Sequence, residues 1–311
     1  MTAATTFHHE AMFYAGDDEF VARSRAFVEE GLDRGEPVLV MVRRRKLELL
    51  RKALGDRAWD AQLVDMEVIG RNPARIIPAW GRFVADHAEQ ASDGMRGIGE
   101  PIWAERDEAE LSECQLHESL INLAFAAADS FKLICPYDTE ALPENVIAEA
   151  RRSHPVVSRT GEQQPCTDYC GIDKVAARFQ EPLPEPPGDF EELSVNVNAL
   201  GDARRLVRRR AEAAGLGRRA DDFVLAVNEI LSNSLHHAQE DGRLRVWDEQ
   251  DGLVCEVRDG GHIVQPLIGR EEPALGQIGG HGLWLVNLVC DLVQVRSSSE
   301  GSTVRMKMSA V

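Results

Sequence analysis

The sequence predicts two units of different class in series: an α/β unit with a parallel sheet and flanking helices, then an α+β two-layer sandwich. Three observations carry this. Before residue 180, continuous apolar strands such as "EPVLVMV" and "FKLICPYD" alternate with helical stretches, the pattern of strands buried on both faces. After residue 190, strands of alternating polarity are joined by short turns, as in "RLRVWDEQDGLVCEVRDGG", a hairpin signal. Between them lies "QEPLPEPPGDF", with four prolines and a glycine, extended and unfit for a helix or sheet interior. The boundaries read as 1–180, a linker at 181–190, and 191–311.

The elements follow in order. "EPVLVMV" is a strand and Arg44 to about Leu54 a helix. A strand is expected around "VDMEVI", and "NPARIIPAWGRFVADHA" is a helix with an early proline at a tolerated position. "MRGIGEP" is a strand entering a loop. "DEAELSECQLHESLINLAFAAA" has apolar residues at helical spacing, "FKLICPYD" is a buried strand and "LPENVIAEARR" a helix. In the second unit "ELSVNVN" is a strand and "ALGDARRLVRRRAEAAGL" a glycine-capped helix. The helix "LAVNEILSNSLHHA" follows, with Leu225 and Leu235 extending its apolar side. The hairpin above, the helix "GLWLVNLVCD" and the hairpin "LVQVRSSSEGSTVRMKM" complete it.

The 311 residues are 43% hydrophobic and 28% charged, enough for about two domains with sizeable cores. A formal net charge of -17 argues against direct nucleic-acid binding, because phosphates repel such a surface. No apolar run is long enough to span a membrane, no secretory signal is seen, and six scattered cysteines suit a reducing cytoplasm. A cytoplasmic location without membrane attachment is therefore expected. Cys166 and Cys170, in "CTDYC", have neither zinc-knuckle spacing nor a second matching pair; unpaired thiols are the expected reading.

Chemistry concentrates in the second unit. Glu229, Asn233 and His237 recur every four residues on one helix, hence on one face. "VRDGG" sets Asp259 at a strand end before Gly260 and Gly261; an aspartate there can accept from an exocyclic amine while glycine admits a flat ring. "GGHGLWLV" opens a helix with Gly280, His281, Gly282 and Leu283, and backbone N–H groups at such a start bind phosphate. "EGSTV" sets Thr303 just inside the last strand. Each motif alone is an ordinary turn or solvated face; their order and spacing argue otherwise.

This arrangement resembles the GHKL (Bergerat) ATP-binding fold, closest to the anti-sigma-factor serine kinases, over about Leu193 to Met308. The resemblance implies ATP and Mg²⁺ as cofactors. It implies Asn233 on Mg²⁺, Glu229 as the base taking the substrate hydroxyl proton, and Asp259 on the adenine amine with Thr303 supporting it. Gly261, Gly280 and Gly282 would let the nucleotide and its lid close, with His281 and Leu283 in the same loop. It also implies a sigma factor and an anti-anti-sigma (STAS-type) protein as partners, and a homodimer as the family expectation. One departure is Ile263, where the family's turn often has a second glycine; a degenerate switch that sequesters partners without kinase turnover is the alternative. A histidine kinase fits poorly, since a proline-rich segment and not a phosphoacceptor hairpin precedes this unit.

The first unit has no Gly-x-x-x-x-Gly-Lys-Ser/Thr phosphate loop. Its run from "FHHEAMFYAGDDEF" through "GIGEPIW", "ECQLHESLINLAF" and "CPYDTEALP" to "ARRSHP" resembles the MEDS sensory domain over about residues 7 to 157. That family is associated with sensing hydrocarbon-derived small molecules, and the resemblance implies a sensory role, on a fold related to RecA-like ATPases without the phosphate loop. The site residues expected here are His9, Glu10, Tyr14, Glu100, His117, Glu118, Tyr137 and Asp138. His117 and Glu118 are expected to meet strand-end residues at the carboxyl edge of the sheet, where ligands bind in such folds. A buried hydrogen-bond network is the competing reading, and a histidine–carboxylate metal site a third.

Overall fold

The computed structural model describes residues 7–88, 94–128, 130–171, 175–237, 242–249, 251–273 and 280–310. The chain divides into two compact units, Met1–Val175 and Ala176–Val311.

The first unit runs β1 (His8–Tyr14), α1 (Gly16–Asp33), β2 (Val38–Val42), α2 (Arg44–Leu54), β3 (Gln62–Asp65), α3 (Met66–Ile69), α4 (Ile76–His87), β4 (Met95–Gly99), α5 (Glu108–Ala124), β5 (Phe131–Asp138), α6 (Glu144–Ser153), β6 (Val156–Arg159) and β7 (Glu162–Pro165). The sheet order is β3-β2-β4-β5-β1-β6-β7; only the β6–β7 pair is antiparallel. Period-two alternation splits the core. Met12, Tyr14, Val38, Val40, Ile98 and Ile134 pack with Phe20 and Val28 of α1 and Leu47 and Leu50 of α2. On the opposite face Trp80 of α4 packs at a tilt on Phe131 and lies against Gly97, with Leu133 beside the same glycine. The long helix α5 begins with a capping box, Asp107 with Glu110, which satisfies two N-terminal donors at once.

Three sequence expectations change. The strand expected around "VDMEVI" ends at Asp65, whose carboxylate accepts from the Glu67 N–H and starts the short α3 instead. β1 and α1 were not among the predicted elements, because a His-His-Glu start hides a strand whose polar side chains find buried partners. The β6–β7 hairpin carries a polar second strand and gave no apolar signal.

The second unit contains α7 (Val175–Gln180, which begins at the boundary), β8 (Glu191–Val195), α8 (Leu200–Ala213), α9 (Arg219–His237), β9 (Gly242–Glu249), β10 (Gly252–Asp259), α10 (His281–Val289), β11 (Leu292–Ser298) and β12 (Gly301–Ser309). Its antiparallel sheet has the order β11-β12-β10-β9-β8. The inner face (Leu244, Val246, Leu253, Cys255, Val257, Val304, Met306) is buried beneath α8, α9 and α10. Arg219 at the start of α9 pairs bidentately with Asp291, at 2.7 and 2.8 Å, and Asp291 also accepts from the Ser309 N–H; this fixes the helix to the sheet edge. Leu225, expected on the apolar side of α9, is instead 44% exposed.

The outer face holds a charge network. Fully buried Glu256 accepts from Arg258 at 2.6 Å and from Arg305 at 2.6 and 3.0 Å, with Arg245 at 3.7 Å. The proline-rich stretch is irregular, as its prolines require, yet it is docked here: Glu185 accepts from Arg245 and Arg258, and the Pro184 carbonyl accepts from Arg305. It therefore joins the second unit's sheet instead of acting only as a tether. Removing the carboxylate leaves guanidinium groups without their central partner, so Glu256→Ala is expected to destabilise the second unit by about 3 kcal/mol. Denaturant unfolding followed by Trp247 fluorescence measures this; a change under about 0.5 kcal/mol refutes the network's role.

Candidate functional site

The second unit encloses a cavity of about 430 Å³, lined by residues of α9, the β10–α10 loop, the start of α10 and β12. Asn233, Asp259, Gly261, Gly280, Gly282 and Leu283 all line it. Glu229 borders this set: a Cβ built on Gly282 would lie 2.9 Å from Asn233 Nδ2 and 3.3 Å from Glu229 Oε2. The missing side chain at 282 is what lets the start of α10 approach both residues. Gly280 caps α10 in the left-handed conformation, φ 82°, and His281 is exposed as its first residue.

Asp259 ends β10, and its Oδ1 accepts from the Gly261 N–H at 2.8 Å and the Ser302 hydroxyl at 2.9 Å. Thr303 does not support it. The β10–β12 register pairs Asp259 with Ser302 and Arg258 with Thr303, so alternation sends Ser302 and Val304 to the cavity and Thr303 to the outer face with Arg305. The cavity-facing stripe of α9 is Ile230, Asn233 and Ser234, rotated from the Glu–Asn–His ladder read in the sequence. The Ser234 hydroxyl is buried without a hydrogen-bond partner among the described residues. The His237 side chain lies outside what the structure describes, as do residues 274–279 of the expected lid.

The loop after Asp259 is fastened on two sides. Ile263, which also lines the cavity, donates its N–H to Ser297 Oγ at 2.8 Å, and His262 Nδ1 donates to the Ser298 carbonyl. Asn287 of α10 donates to the Gly269 carbonyl at 2.8 Å. Sequence reading missed Ile230, Ser234, Ile263 and Ser302; strand parity in "GSTV" was the available signal for Ser302.

The first unit's expected residues separate into distinct places. At the ends of β1 and β4, Lys46 of α2 donates to both the Tyr14 hydroxyl and the Glu100 carboxylate, all three buried. Burial, then the neighbouring Glu100, raises the Tyr14 phenol above its ordinary range, and burial raises Glu100 despite Lys46 beside it. Glu10 accepts from Gln163 at 2.6 Å and lies 3.1 Å from His8. Asp138 accepts from the Glu140 N–H in the turn after β5.

His9 and Glu118 form a fourth place with Cys135 and His154, which the sequence reading had not joined to them. One ligand atom from each of the four lies within 4.8 Å of the others, and all four residues are buried. Glu118 Oε2 lies 3.1 Å from His9 Nε2 and 3.3 Å from His154 Nε2; His9 Nε2 is 3.4 Å from Cys135 Sγ. Tyr137 meets the His154 ring edge-on at 5.6 Å. His117 is buried on α5 but is not one of the four. The expected meeting of Glu118 with strand-end residues at the carboxyl edge is corrected: α5 crosses a sheet face, and Glu118 meets the start of β1 and the middle of β5. Burial, then His154, lowers His9 to about 4. Burial alone would raise Glu118, but the flanking imidazoles outweigh it and hold the carboxyl well below its usual range. Burial and the Glu118 charge push the Cys135 thiol up.

Among the described residues no helix is long and apolar enough to cross a membrane. No curated protein matches the chain. Residues 8–155 match the family model described as MEDS, MEthanogen/methylotroph, DcmR Sensory domain, and residues 193–308 match the histidine kinase-like ATPase domain. The matches support an architecture of a MEDS sensory domain followed by a histidine kinase-like ATPase domain, and the second implies an ATP-utilising, kinase-like regulatory activity.

Proposed function

We propose that the chain is a sensor-regulated anti-sigma factor with ATP-dependent serine/threonine protein kinase activity. The second unit, a Bergerat-type sandwich, takes Mg-ATP, phosphorylates a STAS-type anti-anti-sigma protein and sequesters a sigma factor. The first unit, RecA-like without a phosphate loop, takes the signal. The observation that carries this reading is the convergence of Glu229, Asn233 and Gly282 beside a cavity that Asp259 also lines.

The residues present fit the nucleotide. The cavity is within the ~300–1,000 Å³ range of small-molecule sites. Both bonds to Asp259 go to Oδ1, so Oδ2 is available to accept from an adenine amine. The N–H groups at the start of α10 suit phosphate oxygens. The Asn233 amide oxygen suits a hard cation that keeps most of its waters. Bound Mg²⁺ would supply neutralisation of the phosphate charge.

Glu229 then acts on the acceptor hydroxyl. The substrate O–H proton passes to the Glu229 carboxylate as that oxygen bonds the γ-phosphorus, and the bridging oxygen leaves with ADP. Ser302 and the Gly261 N–H hold the Asp259 carboxylate in place while the base is bound, the part the sequence had given to Thr303.

Glu229→Ala is expected to lower phosphoryl transfer by about 10² or more while calorimetric Mg-ATP affinity stays unchanged. Asn233→Ala is expected to lose Mg-ATP binding. The assay follows γ-phosphate transfer to the protein recovered by pull-down with and without Mg-ATP; undiminished transfer by the Glu229 variant rules out its role as base. Binding without transfer in the unmodified chain leaves the sequestering switch. Asp259→Asn is expected to weaken ATP binding about tenfold or more; equal affinity of both proteins would remove Asp259 from the adenine contact.

A further inference from the structure

We propose that His9, Glu118, Cys135 and His154 form a closed tetrahedral site for a divalent transition-metal cation of the zinc class inside the first unit.

The hydrogen bonds around the cluster fix which atoms face inward. Asn122 donates through Nδ2 to the Ser153 carbonyl at 2.8 Å and the Glu118 carbonyl at 3.1 Å. Its Oδ1 is thereby turned to His9 Nδ1, 3.0 Å away, and an amide oxygen only accepts. The proton of a neutral His9 ring is therefore on Nδ1 and the lone pair on Nε2. His154 repeats this: its Nδ1 lies 2.7 Å from the Ala150 carbonyl, which also only accepts. Both rings turn Nε2 toward the Glu118 carboxylate.

With both rings neutral, two imidazole nitrogens and a carboxylate face one another, and the Cys135 thiol beside His9 carries a proton of its own. Glu118 Oε1 and His154 Nε2 are buried with no hydrogen-bond partner among the described residues. Buried polar atoms are rarely left so, and a cation satisfies all four donors together. A second imidazole nitrogen tied to a carbonyl or amide oxygen is the usual outer support of a metal-bound histidine, and both histidines have it.

Distances and charge agree. Zinc bonds of about 2.0–2.3 Å in a tetrahedron give donor–donor edges of about 3.3–3.7 Å; three of the six edges here are 3.1, 3.3 and 3.4 Å, and all six are within 4.8 Å. A dication with one carboxylate, one thiolate and two neutral imidazoles carries no net charge, the state that burial favours. Binding forms bonds to two imidazole nitrogens, one carboxylate oxygen and one sulfur, and releases the Cys135 thiol proton to solvent. The mixed nitrogen, oxygen and sulfur set selects zinc-class cations over Mg²⁺ or Ca²⁺. The donors come from β1, α5, β5 and the residue after α6, so the metal clasps two neighbouring strands to two helices. This site does not depend on what the second unit binds.

The test uses the full chain loaded with Zn²⁺ or Co²⁺, passed through gel filtration and assayed for metal. Stoichiometric retention of Zn²⁺ is expected. Co²⁺ is expected to give the intense visible bands of a tetrahedral ion and a near-ultraviolet thiolate-to-cobalt band. That thiolate band is expected to persist in the Cys166→Ser, Cys170→Ser double variant and to vanish in Cys135→Ser. Metal lost on the column, a cobalt spectrum without the thiolate band, or a band that survives in folded Cys135→Ser or disappears in the double variant overturns the proposal. Should Cys135→Ser fail to fold, the unmodified chain and the double variant decide it alone. Zn²⁺ is also expected to raise the first unit's melting temperature, reversibly by chelator, an effect Mg²⁺ does not reproduce.

Discussion

The second unit's cavity depends on one small set of hydrogen bonds: Asp259 Oδ1 accepting from Ser302 and from the Gly261 N–H. A carboxylate at the end of a strand would ordinarily swing into solvent. Here the two donors hold it at one cavity wall, and the neighbouring backbone comes close enough to make the arrangement possible. A Cβ on Gly301, where φ is 132°, would sit 2.2 Å from the Asp259 carbonyl oxygen. Glycine at 301 therefore lets β12 begin beside the end of β10 with Ser302 in register opposite Asp259. From that register follow the faces of both strands: Ser302 and Val304 inward, Thr303 and Arg305 outward.

The other wall is set by contact instead of hydrogen bonding. Helix α10 can start against Glu229 and Asn233 only because residue 282 has no side chain. Its far end is tied by Asn287 to the Gly269 carbonyl, so the loop between strand and helix is fixed near its middle. The outer face of the same sheet is sealed by a different device, a carboxylate surrounded by guanidinium groups and strapped by the proline-rich segment. Arg245, Arg258 and Arg305 are thereby committed to internal pairing.

The nucleotide-type cavity was legible to the extent that local spacing determines geometry. Glycines at 280 and 282, the aspartate before Gly260 and the Glu229–Asn233 spacing each specify a local shape, and the structure brings these residues together. Where the reading slipped, the error was one of phase. Thr303 and Ser302 differ by one position on a strand, and one position changes the face. The stripe Ile230, Asn233, Ser234 differs from the Glu–Asn–His ladder by part of a helical turn. In the first unit the deficit was one of topology. His9 meets Cys135 because β1 lies between β5 and β6, and no local pattern announces that neighbour. His154 joins them only because α6 ends over the same face.

Two buried polar clusters in the first unit make the decisive contrast. Lys46 brings its own protons to Tyr14 and Glu100, so that cluster is balanced within the chain and works as a structural tie between α2 and the strand ends. Around Glu118 the chain sets two imidazole nitrogens and one thiol, and Glu118 Oε1 and His154 Nε2 are left without a hydrogen-bond partner among the described residues. Asn122 and the Ala150 carbonyl hold the Nδ1 protons of the two rings outside the cluster. Such a cluster is balanced by a guest with positive charge, and a guest held by four elements contributes its binding energy to their packing. The fold of this unit, and not a reacting group, is then what the bound ion changes. The proposed ion would tie the order of β1, β5, α5 and the end of α6 to its own occupancy.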